Sequence, residues 1–179
     1  MASHTSQSTR AQTGSKASSA RKRRATSEDA LALLRADHDA VLELFEKYES
    51  ARQKEQKQKL AEQICMELTI HATIEEEIFY PEVRRAEPVE SIDDILNEAA
   101  VEHDGAKKLI AEIEGSNADD DKFDARIKVL SEYIKHHVKE EYRCIFPAAR
   151  KAADLDLDEM AARLRARKEQ LKSEQQIWH

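Results

Sequence analysis

A histidine followed four residues later by a glutamate occurs twice in this chain, each time ahead of a proline. The first copy runs from His71 to Glu75 and the second from His137 to Glu141, and a proline follows six residues after each glutamate. Residues four apart lie on one face of a helix, so each copy stacks an imidazole and a carboxylate. The pattern therefore predicts two helices that each carry a potential pair of metal ligands.

The two copies belong to a longer internal repeat. An offset of 66 residues maps the first pair and its proline onto the second, and an offset of 65 maps His38 onto His103. Each half of the repeat then supplies one single histidine and one His-x-x-x-Glu pair. The candidate metal ligands are His38, His71, Glu75, His103, His137 and Glu141.

The hydrophobic pattern is helical along most of the chain. Apolar residues recur at three- and four-residue spacing, which is the period of an amphipathic helix. Helices are predicted over about 28–51, 57–85, 91–114 and 120–152, with a more charged fifth helix over about 156–176. Short connections make neighbouring helices antiparallel, so the sequence predicts an all-α, up-down-up-down four-helix bundle with an extra C-terminal helix.

Composition divides the chain into three parts. Residues 1–27 hold six basic and no acidic residues without apolar periodicity, which predicts a disordered basic tail. The bundle is expected over 28–152, and an amphipathic helix and tail over 153–179. Outside the first part the chain carries 23 basic and 36 acidic residues. Such an acidic body disfavours nucleic acid, except for weak binding through the tail.

Hydropathy and cysteine content indicate the compartment. The mean hydropathy is −0.74, and no apolar run approaches the roughly 18 residues of a membrane span. The two cysteines are too few for a disulfide scaffold. We therefore expect a cytoplasmic protein without a membrane span. Cys65 and Cys144 are expected to act as small apolar residues.

Two inward glutamates are hard to accommodate without a cation. Carboxylates that face each other in one core repel or take up protons, and they are rarely buried unless paired or bound to a metal. No lysine or arginine falls on the four inward stripes. A cation shared with four neutral imidazoles resolves the conflict, and a structural polar layer without metal is the alternative.

The number of candidate ligands bears on the metal. Six protein ligands exceed the four that a zinc ion prefers. They suit two octahedral transition ions bridged by carboxylates, and mixed imidazole and carboxylate donors favour iron ahead of manganese or zinc.

The chain resembles the hemerythrin-like (HHE cation-binding) family over roughly residues 28–150. The likeness is carried by His38-Asp39, His71-x-x-x-Glu75-Glu76 with Pro81, Glu102-His103-Asp104, and His137-x-x-x-Glu141 with Pro147. The resemblance implies a four-helix bundle that holds a non-heme di-iron centre with a bridging oxo or hydroxo group. It also implies that the four histidines are terminal ligands and that Glu75 and Glu141 bridge the two ions.

One position departs from the family pattern. Oxygen-carrying hemerythrins have a second histidine on the third helix, four residues from the first. The residues four positions from His103 are Ala99 and Lys107. One iron therefore keeps an open position or takes a ligand from Glu67 or Tyr133, each of which lies four residues before a motif histidine. An open iron position is reactive toward oxygen, peroxide or nitric oxide.

The expected function is that of a metal-binding protein with a di-iron centre. It would bind or sense oxygen or oxygen-derived species, or handle iron under stress. One alternative is an enzyme that removes peroxide or acts as an oxidase at the open position. Another is a helical interaction module without metal, which binds a partner through the basic tail and the fifth helix. Tyr80 and Phe146 are expected to pack the end of the bundle.

Overall fold

The fold is a bundle of four helical rods with a fifth helix packed on its side. A computed structural model describes residues 29–86 and 90–177. Its helices are α1 (Ala30–Ser50), α2 (Lys54–Ile74), α3 (Tyr80–Ala86), α4 (Glu90–Glu114), α5 (Phe123–Glu140), α6 (Phe146–Lys151) and α7 (Leu157–Ile177). Two π-helical turns, Glu75–Phe79 and Glu141–Ile145, join α2 to α3 and α5 to α6. The predicted all-α bundle is confirmed. No helix in the described ranges is both long and apolar enough to cross a bilayer.

The first rod begins where the sequence predicts. The side chain of Asp29 accepts a hydrogen bond from the backbone N–H of Ala32 at 2.9 Å, which caps α1. The predicted tail over residues 1–27 lies outside the described residues. So does the connection over residues 87–89.

Two helix starts differ from the prediction. The polar segment after Gln53 is already helical, because its lysines face acidic residues across the bundle, with Lys57 Nζ 2.8 and 2.7 Å from the carboxylate oxygens of Asp124. The fourth rod begins later than predicted. Asp120 accepts the backbone N–H of Lys122 through its side chain and that of Phe123 through its carbonyl, so the preceding residues form turns.

Each proline of the repeat directly follows the first residue of a new helix. The backbone N–H of Tyr80 donates to the carbonyl of Glu75, five residues back, and Phe146 donates to Glu141 in the same way. A proline has no N–H and its ring crowds the preceding turn, and the wider π turn accommodates both effects. The chain therefore continues from α2 through the π turn into α3, with one extra residue in the turn.

The apolar core is divided into two clusters by a polar layer. On α1, Leu34 belongs to the first cluster and Val41 to the second, and His38 lies between them. On the other three rods, too, the motif residues lie where one cluster meets the other, and the antiparallel second and fourth rods pass the clusters in the opposite chain order. The first cluster also takes in α3, α6 and the buried Met160 and Leu164 of α7. The candidate ligands therefore occupy the middle of the bundle.

Gly105 provides space for an aromatic ring between α4 and α5. A Cβ atom at this position would lie 2.6 Å from the hydroxyl of Tyr133 and 3.0 Å from its Cζ. The absence of a side chain thus allows the two helices to pack closely.

We expect Gly105→Ala to destabilise the protein by about 1–2 kcal/mol through overpacking. In a Tyr133→Leu background the same change should become neutral or stabilising, since alanine is favoured over glycine in a helix by up to about 1 kcal/mol. Chemical denaturation of the four proteins measures both effects. An equal cost in the two backgrounds would contradict the packing role of Tyr133.

Candidate metal centre

The structure brings all six candidate ligands into the polar layer, and all are buried. They form two groups that share one glutamate. The first group is His38, His71, Glu75 and Glu141, and the second is Glu75, His103 and His137. Within each group the potential ligand atoms all lie within 4.8 Å of one another.

The first group is compact. The Nε2 atoms of His38 and His71 are 2.8 Å apart. His38 Nε2 lies 3.2 Å from Oε2 of Glu141, and His71 Nε2 lies 3.2 Å from Oε1 of Glu75. Two imidazoles and two carboxylates therefore converge on one point.

The second group lies beside the first and shares Glu75 with it. The Nε2 atoms of His103 and His137 are 3.2 Å apart. His103 Nε2 is 3.5 Å from Oε2 of Glu75, and His137 Nε2 is 3.9 Å from Oε2 of Glu141. Glu75 thus directs one oxygen to each group, which is the arrangement that a bridging carboxylate needs.

The donor set fits metal cations. Two ligand atoms at right angles, each about 2.1 Å from one ion, lie roughly 3 Å apart, which is close to the separations within the first group. Glu75 and Glu141 are 0% exposed. Glu75 Oε1 and Glu141 Oε2 are buried without a hydrogen-bond donor. Buried carboxylate oxygens of this kind need a proton or a cation.

Three of the four histidines make a hydrogen bond through Nδ1, the ring nitrogen on the side away from the two groups. Nδ1 of His103 is 2.9 Å from Glu76, and Nδ1 of His137 is 2.8 Å from Glu102. Nδ1 of His38 is 3.1 Å from the hydroxyl of Tyr142. Such outer partners orient an imidazole so that its second nitrogen faces a metal.

The fourth outer contact is longer. Nδ1 of His71 lies 3.7 Å from Oδ2 of Asp37, and neither atom has a hydrogen-bond partner. Asp37 lies one residue before His38, as Glu102 lies one residue before His103. The internal repeat therefore extends to the residues that support the ligands, which its spacing alone did not reveal.

The charges of the layer are balanced by imidazolium when no cation is bound. Burial alone would lower the pKa of His71, but the charge of Glu75 and the contact with Asp37 raise it to about 10. Burial is likewise outweighed at His103, where hydrogen bonds to Glu75 and Glu76 raise the pKa to about 9. Both histidines hold protons at neutral pH that a metal would displace.

Tyr80 is the residue at the centre of the layer that sequence reasoning missed. Its hydroxyl lies 3.0 Å from Oε1 of Glu141 and 3.3 Å from Oε2 of Glu75. It is also 3.5 Å from Nε2 of both His103 and His137. A regular α-helix turns a residue five positions on away from Glu75, whereas the π turn returns it to the same face. Both Tyr80 and Phe146 lie in the first apolar cluster, as the packing prediction expects, but the hydroxyl of Tyr80 also enters the layer.

The two extra ligand candidates do not reach the layer. Glu67 lies 3.3 Å from Lys172 of α7, and the hydroxyl of Tyr133 lies against Gly105. Lys107, one of the two residues four positions from His103, pairs with Glu76 at 2.6 Å.

Neither His136 nor the two cysteines belongs to either group of candidate ligands. His136 is largely exposed and contacts Glu102 at 3.4 Å. Cys65 is buried in the second apolar cluster, and Cys144 is half-buried.

A small cavity adjoins the histidines on the side of the second apolar cluster. Its volume is about 20 Å³, close to the space that one water molecule needs. The four histidines line it together with mostly apolar neighbours, which include Leu68, Ala106, Ile110, Ile134 and Val138.

This chain belongs to the hemerythrin HHE cation-binding domain family, whose model matches residues 29–149. The buried histidine and glutamate groups are compatible with metal binding by such a domain. The crystal structure of a hemerythrin HHE cation-binding domain-containing protein from Mycobacterium kansasii has the same fold. Its TM-score is 0.69 at 22% identity, over 82% of this chain and 88% of that chain.

A relative from Nostoc sp., named DNA nickase, is 28% identical over 118 residues. The match covers 66% of this chain and 32% of the relative, so the chain spans about a third of that protein's length.

The raised pKa values predict how the stability of the metal-free protein depends on pH. Folded His71 and His103 bind protons more tightly than in the unfolded chain, so their contribution is full below about pH 6.5. It is lost as the pH rises through about 9 to 10. The melting temperature of chelator-treated protein should therefore fall between pH 7 and pH 10, and less steeply in His71→Gln. A melting temperature that rises over this range would contradict the assignment.

Proposed function

We propose that this protein holds two iron ions in its polar layer and uses them to bind or sense oxygen or oxygen-derived molecules, or to handle iron under stress. The observation that carries the proposal is the sharing of Glu75 between the two donor groups, with one carboxylate oxygen toward each. In this assignment His38 and His71 hold one ion and His103 and His137 hold the other. Glu75 and Glu141 bridge them.

The donor chemistry supports iron. Imidazole and carboxylate donors together suit divalent and trivalent transition ions, with manganese and zinc as weaker candidates. A bound iron pair would supply Lewis acidity and redox chemistry toward small oxygen-derived ligands.

The residues around the donors keep the site organised and dry. Glu76 and Glu102 accept the Nδ1–H groups of His103 and His137, so that the Nε2 atoms point inward. The two apolar clusters separate the layer from solvent at both ends. A preorganised site in apolar surroundings strengthens electrostatic interactions with whatever it binds.

The cavity beside the histidines supports a small ligand. A volume of about 20 Å³, close to the space for one water molecule, with a mostly apolar lining favours the smallest ligands, such as oxygen, peroxide or nitric oxide, with slight movement of the lining. A larger organic substrate would need the surrounding side chains to move.

Two further assignments follow from charge and cysteine state. We place the protein in the cytoplasm, since both cysteines of the chain are free. The activity in the name of the Nostoc relative is not part of this proposal. The chain matches only 32% of that protein, and the acidic excess outside residues 1–27 would repel a phosphate backbone.

Iron analysis tests the proposal. Protein purified without chelator should hold about two iron ions per chain, as expected for a carboxylate-bridged pair. Glu75→Gln should lose at least one, since it removes the shared charge. Glu77→Gln is the matched control, because Glu77 lies two residues on and pairs with Arg167 at the surface. A folded wild-type protein that takes up no Fe(II) would overturn the proposal.

We further propose that Tyr80 supplies an oxygen donor to the second ion. The second group holds three donors where the first holds four, and the Tyr80 hydroxyl lies 3.5 Å from both of its histidine nitrogens. Burial, together with the charges of Glu75 and Glu141, raises the pKa of Tyr80, so the neutral phenol donates to Glu141.

Tyr80→Phe distinguishes a ligand from a hydrogen-bond donor. A phenolate bound to ferric iron absorbs visible light, so the wild-type protein should show a band that Tyr80→Phe lacks at equal iron content. Tyr142→Phe provides the control, because the Tyr142 hydroxyl contacts only the outer nitrogen of His38. Unchanged visible spectra in both variants would limit Tyr80 to hydrogen bonding.

A further inference from the structure

Helix α7 lies beyond the part of the chain that matches the family, residues 29–149, yet it packs against the bundle beside the metal layer. Its buried apolar residues lie in its first half and include Met160, Ala161 and Leu164. Further along, Leu171 packs against the first apolar cluster, and ion pairs join the helix to α1, α2, α3 and the π turn after α2.

Three of these ion pairs lie near the surface. Arg163 contacts Glu82 at 2.8 Å, and Arg167 contacts both carboxylate oxygens of Glu77 at 2.7 and 3.0 Å. Lys172 contacts Glu67 at 3.3 Å. Pairs of this kind contribute little each, since solvent screens them.

The fourth pair differs in burial and in position. Lys168 pairs with Asp37, and their side chains are only 16% and 14% exposed, so this is the most buried of the four pairs. The second oxygen of Asp37 faces Nδ1 of His71 at 3.7 Å. A chain of three side chains therefore runs from α7 to a candidate metal ligand.

His71 is the one histidine of the layer whose Nδ1 atom makes no hydrogen bond to an outer partner. The other three histidines make hydrogen bonds of 2.8–3.1 Å through Nδ1. Nδ1 of His71 and Oδ2 of Asp37 are both buried and have no hydrogen-bond partner. When Nε2 binds a metal, Nδ1 carries the proton and needs an acceptor. Asp37 is in place to accept it.

We propose that Lys168 is a positioning residue of the metal centre, through which docking of α7 fixes Asp37 and thereby His71. The inference rests on the proposed function, because it concerns retention of the ion held by His38 and His71. Without the lysine, Asp37 has a buried charge with no cation beside it and turns toward solvent. His71 then loses the acceptor for its Nδ1–H group, and it binds the ion less tightly.

The test compares iron release from the iron-loaded full-length protein to excess chelator. Lys168→Met and Asp37→Asn should each release iron about 10-fold faster or more, as for other outer partners of metal ligands. Their double mutant should release iron no faster than either single one, since the two residues act in one chain. Lys168→Arg should keep most of the retention because the ion pair remains.

Lys172→Met is the matched control on the same helix. It breaks another ion pair of α7 without touching Asp37, so iron release should match the wild type. Circular dichroism confirms that each variant is folded, and the absorption spectrum reports the centre independently of any activity. Equal release by Lys168→Met and Lys172→Met, or additive effects of Lys168→Met and Asp37→Asn, would overturn the inference. Wild-type protein without iron would instead overturn the proposed function itself.

Discussion

Two fully buried carboxylates decide how the rest of this bundle is arranged. Glu75 and Glu141 lie at the centre of the core, where an unpaired charge costs several kcal/mol even after relaxation. Four imidazoles surround them, and the apolar residues of each rod are divided into clusters on either side. A four-helix bundle with an entirely apolar core would be simpler to stabilise. The polar layer is therefore best understood as a binding site around which the apolar core is built.

The two π turns adapt the helices to this layer. Each begins at a glutamate and ends just before the residue that precedes a proline. The extra residue in the turn changes which side chains share a face, and it brings the hydroxyl of Tyr80 over Glu75 and Glu141. π turns often occur at functional sites because they redirect side chains in this way. Here the same feature accommodates the proline and completes the layer.

Much of this arrangement could be predicted from the sequence because the signals were periodic. Amphipathic spacing predicts the rods, and the repeat at 65–66 residues predicts all six candidate ligands. Tyr80 was missed because helical periodicity assumes a regular turn. The link from Lys168 to Asp37 was missed because it joins residues 131 apart in the chain, and no local pattern marks such a pair. Helix starts failed where polar contacts outside the hydrophobic pattern accompany the boundary, namely Lys57 with Asp124 and the turn at Asp120.

The repeat also makes the differences between its halves interpretable. Tyr80 corresponds to Phe146, and Glu76 corresponds to Tyr142. In the first pair, the more polar residue, Tyr80, contacts His103 and His137. In the second pair, the carboxylate of Glu76 contacts His103, whereas the phenol of Tyr142 is the outer partner of His38.

These differences make the two halves of the layer electrostatically unequal. Carboxylates lie behind both His103 and His137 and orient those imidazoles. The other half has one carboxylate, Asp37, and its charge is shared with Lys168. In the second half, Glu76 likewise shares its charge with Lys107. The repeat thus makes the six candidate ligands symmetric but not their outer partners, which are two carboxylates in one half and a carboxylate and a phenol in the other.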